Sequence, residues 1–101
     1  MAELNLNGRT KVKTLKAEFK KNWNATLRVY NGSRFADDDA TLASIRQGDA
    51  KGGEFKVAGN IKVGNFEDKM KEIFGVKVQV ANSDDTKLSD NDITISAAGR
   101  E

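Results

Sequence analysis

The chain has no cysteine, no histidine and no proline. Without cysteine there is no disulfide, no thiolate nucleophile and no zinc–thiolate site, a composition that fits a reducing compartment. Without histidine the usual general base near neutral pH is missing, and so is the commonest metal ligand. Without proline nothing blocks the edges of a small sheet. Long apolar runs are absent too: no stretch approaches the length of a membrane span, and the opening MAELNLNGRTK lacks the apolar segment of a secretory signal. These absences predict a cytoplasmic protein with no membrane partner. The Asn24-Ala25-Thr26 and Asn31-Gly32-Ser33 sequons are then expected to carry no glycan.

What is present is a chain of 101 residues, enough for one domain spanning residues 1–101 with one core. Charged residues make up 32% and hydrophobic residues 38%, the balance of a soluble globular protein on the polar side. A net charge of +2 indicates no partner, but its distribution is uneven. Between Arg9 and Tyr30 stand Arg9, Lys11, Lys13, Lys16, Lys20, Lys21 and Arg28 against the single acid Glu18. From Asn82 onward Asp84, Asp85, Asp90, Asp92 and Glu101 face only Lys87 and Arg100. A chain basic early and acidic late has a polar surface or associates head to tail.

The sequence also repeats itself. Shifted so that Leu4 and Leu6 lie on Phe55 and Val57, it places Gly8 on Gly59, Lys11 on Lys62 and Val12 on Val63. Leu15, Phe19 and Trp23 then fall on Phe66, Met70 and Phe74, and Leu27 and Val29 on Val78 and Val80. After two extra residues FADDDATLASI lies over LSDNDITISAA, with Thr41 on Thr94. The pattern predicts an internal duplication, residues 1–47 and 54–101, joined by GDAKGG at 48–53.

Each copy reads as strand–helix–strand–(strand)–short helix. Thr14 and Asn65 are good N-cap residues, and Asn24 and Gly75 tolerate the left-handed conformation that closes a helix. This predicts helices over 14–23 and 65–74, with Leu15, Phe19 and Trp23 on one face of the first and Phe66, Met70 and Phe74 on one face of the second. Leu4–Leu6 and Phe55–Val57 read as short leading strands, and VKVQV alternates strictly. Ala25, Leu27 and Val29 point inward, while Thr26, Arg28 and Tyr30 point outward. Asn31-Gly32 signals a turn with a short return strand near Arg34–Phe35. Asp39 and Asp92 are expected to cap final helical turns over 40–46 and 93–99. Two such units sharing a sheet make a two-layer α+β sandwich, with a ferredoxin-like topology favoured. The alternative has two subdomains packed edge to edge or exchanged between two chains.

Comparison of the copies bears on the basic stretch VKTLKAEFKKNW. Its apolar residues have apolar counterparts and belong to the core, Trp23 included. Its lysines do not keep their charge: Lys13 lies over Gly64, Lys16 over Glu67 and Lys21 over Glu72, and only Lys20 lies over a lysine, Lys71. They are therefore not needed by the fold. Either they form an ordinary solvated face, or the first copy is a docking surface with Lys13, Lys16, Lys20, Lys21, Arg28 and Tyr30 as its candidate residues. If the helices cover one sheet face, Arg28 and Tyr30 lie opposite the lysines.

Two other stretches suggest ligands. Gly8-Arg9-Thr10-Lys11 and Gly59-Asn60-Ile61-Lys62 precede helix N-termini, where a phosphate could bind, but they lack the nucleotide-loop spacing. Asp37-Asp38-Asp39 suggests calcium, but its acids are consecutive and no glutamate follows at the twelfth position. No metal, cofactor or catalytic residue is expected, since no nucleophile elbow or carboxylate pair stands out.

KTLKAEF, LRVYNG and DDDATLASIR, in this order, are similar to stretches of a group of small bacterial proteins with no assigned biochemical role. The resemblance implies a bacterial or phage setting and brings no catalytic or ligand residues. The expectation is a non-enzymatic protein-interaction or regulatory module, monomeric or homodimeric, whose partner is another protein. The alternative is nucleic-acid binding through the first copy's basic face.

Overall fold

The computed structural model describes residues 3–48 and 50–101. Met1, Ala2 and Asp49, the last within the expected joint, lie outside the described residues. Helix α1 runs Val12–Trp23 and α2 Val63–Phe74. Each buries one stripe: Val12, Leu15, Phe19 and Trp23 on α1, and Val63, Phe66, Met70 and Phe74 on α2. Both end as the sequence predicts, with Asn24 (φ 60°) and Gly75 (φ 67°) in the left-handed region.

Their N-termini differ from expectation. The helices begin two residues earlier, so Thr14 and Asn65 sit inside the first turn and do not cap it. Lys11 and Lys62 occupy the cap positions and make no side-chain cap bond. The free N–H groups are met by backbone from the later part of each copy. Val12 donates to the Ala40 carbonyl (2.8 Å) and Lys13 to that of Asp38 (2.9 Å), while Val63 donates to Ile93 (2.8 Å) and Gly64 to Asn91 (3.0 Å). A carbonyl serves an orphan helix donor as well as a side chain does.

Strands β1 (Glu3–Leu6) and β4 (Phe55–Ala58) pair antiparallel, Leu4 opposite Val57. Strands β2 (Thr26–Asn31), β3 (Arg34–Phe35) and β5 (Lys77–Ala81) form a second antiparallel sheet in the order β3-β2-β5. The protein is therefore α+β with two antiparallel sheets, and its strands do not join in the single sheet of a ferredoxin-like arrangement. In the second sheet β2 lies between β5, with Leu27 opposite Val80, and β3, which covers only the Tyr30 and Asn31 end of its other edge, while β1 and β4 pair with each other.

The short final turns are a 3-10 turn at Ala43–Ile45 and a helix α3 at Ile95–Ala98. Thr94, not the expected Asp92, caps α3, its hydroxyl accepting from Ala97 N–H (3.1 Å). The 3-10 turn has Leu42 at its cap position with no side-chain cap bond, and just before it the Thr41 hydroxyl, not Asp39, accepts from Ser44 N–H (3.2 Å). Contacts recur between the halves. Leu42 and Ala43 donate to Thr10 and Gly8, as Ile95 and Ser96 donate to Ile61 and Gly59. The bridges Lys11–Thr41 and Lys62–Thr94 correspond in the same way.

Side chains from both halves fill one core. At its centre Phe19 of α1 meets Phe66 of α2 with ring centroids 5.3 Å apart, and Trp23 packs edge-on against Phe19 at 5.1 Å. Burial of each such side chain contributes about 1.5–3 kcal/mol. Trp23 is thus a core residue, as its apolar counterpart Phe74 predicts.

Candidate docking surface

The six candidate residues divide by what they touch. Lys13 pairs with Asp39 at 3.1 Å and Lys16 with Asp38 at 3.1 Å. The hydrogen bond from Lys13, with its charge, holds the Asp39 carboxyl below its usual value. The triple acid Asp37-Asp38-Asp39 thus supplies counter-charges to α1. The Lys20 ammonium donates to the Ser83 carbonyl and to that of Asn24 (3.4 Å). Lys21 is exposed in the last turn of α1, where a cation suits the helix dipole.

Arg28 and Tyr30 project from the outer side of β2, as their alternation predicts. The Arg28 guanidinium meets the Asp85 carboxylate at 2.7 Å, and that bond raises the Arg28 pKa further above neutrality. Asp85 reaches it from a turn in which it adopts φ 56°, held by its N–H on the Asn82 carbonyl (3.1 Å). The Tyr30 hydroxyl bonds Gln79 Oε1 at 2.7 Å, and Lys77 stands 5.4 Å over its ring.

The first-half basic face therefore carries much of its own compensation. Each exposed pair contributes only about 0–1 kcal/mol to stability, but together they reduce the field a distant phosphate would meet. The helix starts after residues 8–11 and 59–62, weighed above as phosphate sites, already have two N–H groups each held by backbone carbonyls.

Lys16 on α1 and Arg28 on the outer side of β2 meet at the edge of the sheet. Both line one groove of about 270 Å³, together with Thr26, Leu27, Val29, Phe35, Ala36 and Asp85. The groove runs along the edge of β2 beyond the end of β3. Sequence reasoning missed Phe35 as part of a surface. It is 68% exposed and stacks on Tyr30 with centroids 5.0 Å apart and planes 19° apart. The signal was there: a lone phenylalanine after a glycine turn, on a strand too short to bury it. Its counterpart, Leu88, bridges to Ala81 and is the other exposed large apolar residue among those described, at 44%.

The edges of β2 and β5 differ in one respect. The Val29 carbonyl accepts from Ala36 N–H (2.9 Å), as that of Val80 accepts from Ser89 N–H (2.9 Å). The Val80 N–H then donates to Glu67 Oε2 at 3.2 Å. Burial pushes the Glu67 carboxyl above its usual value, and that N–H pulls it partly back. In the first half Lys16 stands where Glu67 stands, and no described side chain accepts from the Val29 N–H as Glu67 does from that of Val80. No helix among the described residues is long and apolar enough to cross a membrane. Compared with family models, curated proteins and solved structures, the chain matches none.

Proposed function

We propose that the protein is a non-enzymatic interaction module that docks another protein along the β2 edge of its first half, in the cytoplasm of a bacterium or in a phage setting. Phe35 is the observation that carries this reading. A ring 68% exposed, stacked on a tyrosine and bordering a groove, has the makings of a contact anchor. Exposed aromatics at the end of a short edge strand suit recognition of an extended segment. The correspondence between the halves, down to the hydrogen bonds that close their helix starts, supports an origin by duplication. After duplication only the first half received the aromatic at this position.

Nucleic-acid binding through Lys13, Lys16, Lys20 and Lys21 is the alternative, and the internal partners of Lys13, Lys16 and Lys20 weigh against it. Fluorescence anisotropy of labelled single- and double-stranded oligonucleotides at low and moderate salt separates the two. Docking of a protein predicts no binding at either salt. Binding that collapses with salt, and is lost when the four lysines become glutamate, would replace the docking reading with phosphate contact.

A further inference from the structure

The chain carries an internal template of what its groove lacks. In the second half a carboxylate from α2 closes the strand edge by accepting from the Val80 N–H. In the first half the equivalent helix position is Lys16, a donor that cannot accept from a backbone N–H. The Val29 carbonyl accepts from Ala36 N–H, so the equivalent Val29 N–H faces the same side, away from β5, and no described side chain accepts from it as Glu67 accepts from Val80. Here it sits on the wall of a groove open to solvent, beside an ammonium.

We propose that this groove seats an acidic side chain of a partner protein's extended segment, its carboxylate accepting from the Val29 N–H and pairing with Lys16. The inference rests on the docking reading and names the chemistry of the partner at that surface. Lys16 already touches Asp38, but an ammonium has three donors and keeps two for a second carboxylate. A groove of about 270 Å³ holds one side chain, whereas a whole added strand would need the β2 edge cleared further. A carboxylate does not. An apolar residue next to the acid would then rest on Phe35, which borders the same groove. The partner motif is therefore glutamate or aspartate followed by an apolar side chain.

The test is an amide NMR titration of the whole chain with the blocked tetrapeptide acetyl-Ala-Glu-Leu-Ala-amide, and with its glutamine counterpart as control. The Glu peptide should move the Val29 amide resonance to saturation at millimolar concentration, and the Gln peptide should bind about tenfold more weakly. The variant K16E should plug its own groove: its Val29 amide should be displaced before any peptide is added, and the response should vanish. In K16M, which has neither the charge nor an oxygen acceptor, the fold and its spectrum should remain while binding weakens. Equal responses to both peptides would overturn the carboxylate seat and leave docking at Phe35 standing. No movement of Val29 with either peptide, or an undisplaced Val29 in K16E, would overturn it as well. Failure of the docking reading itself would appear elsewhere, as salt-sensitive binding of oligonucleotides.

Discussion

At the scale of single residues, Glu67 and Lys16 put opposite charges at one position of two similar helices. Glu67 has a structural task, since it satisfies the N–H of Val80, a residue 1% exposed. Glu67→Ala should therefore cost about 1–3 kcal/mol in urea denaturation, the usual penalty for orphaning a buried donor. Glu67→Gln keeps an acceptor and should cost far less. The same residue sets a pH dependence. Burial raises its folded pKa above the ordinary glutamate value. Between those two values the folded state binds more protons than the unfolded, so this residue's contribution falls as pH rises through that window. Denaturation midpoints across weakly acidic pH should show that decline, and Glu67→Gln should flatten it. Asp39 acts with the opposite sign at lower pH. Its folded pKa is depressed, so its contribution is present above the ordinary aspartate value and is lost as pH falls through the depressed one. Its exposure keeps that contribution small.

At the scale of elements, what was legible in the sequence was what depends on neighbours along the chain. The faces of α1 and α2 follow from side chains three and four residues apart, and their ends follow from Asn24 and Gly75. Their starts were misread because the groups that close them, the carbonyls of Ala40 and Asp38, come from beyond two strands. Thr14 looks like a cap only if no such partner exists. This separates two threonines. Thr94→Ala removes a hydroxyl that accepts the Ala97 N–H and should cost about 1 kcal/mol. Thr14→Ala replaces an exposed residue inside the first turn with a better helix former, and should be neutral or slightly stabilising. Thermal melts of the two variants check both. The opposite ranking would mean that side-chain capping, not the backbone bridge, fixes the helix start.

At the scale of the whole molecule, neither the sheet order nor the groove could be read from the sequence, because both arise where the halves meet. The pattern said that each half holds two main strands, but not that each would pair with its counterpart in the other half. Lys16 and Phe35 are far apart in sequence, and the groove they border exists only once β2 has β5 on its other edge. This interlocking makes a last prediction. Among the described residues both long pairings, β1 with β4 and β2 with β5, cross between the halves, while the two-residue β3 and three single bridges pair within one. The cap of α1 also reaches across, since the Asn24 side chain donates to the Gly99 carbonyl at 3.1 Å. The fit there is close enough that a Cβ on Gly99 would collide with the Trp23 carbonyl. Phe19 and Phe66 lose their contact if the halves part. A half of roughly fifty residues with no sheet of its own beyond that hairpin lacks the burial to offset its chain entropy. Residues 1–48 and 50–101 made as separate chains should each give the circular dichroism of an unfolded chain. Mixed in equal amounts they should regain helix and strand signal together, with a concentration-dependent midpoint. A half that folds alone would mean that its own helix and hairpin suffice, and that the cross-half pairing is docking between finished units.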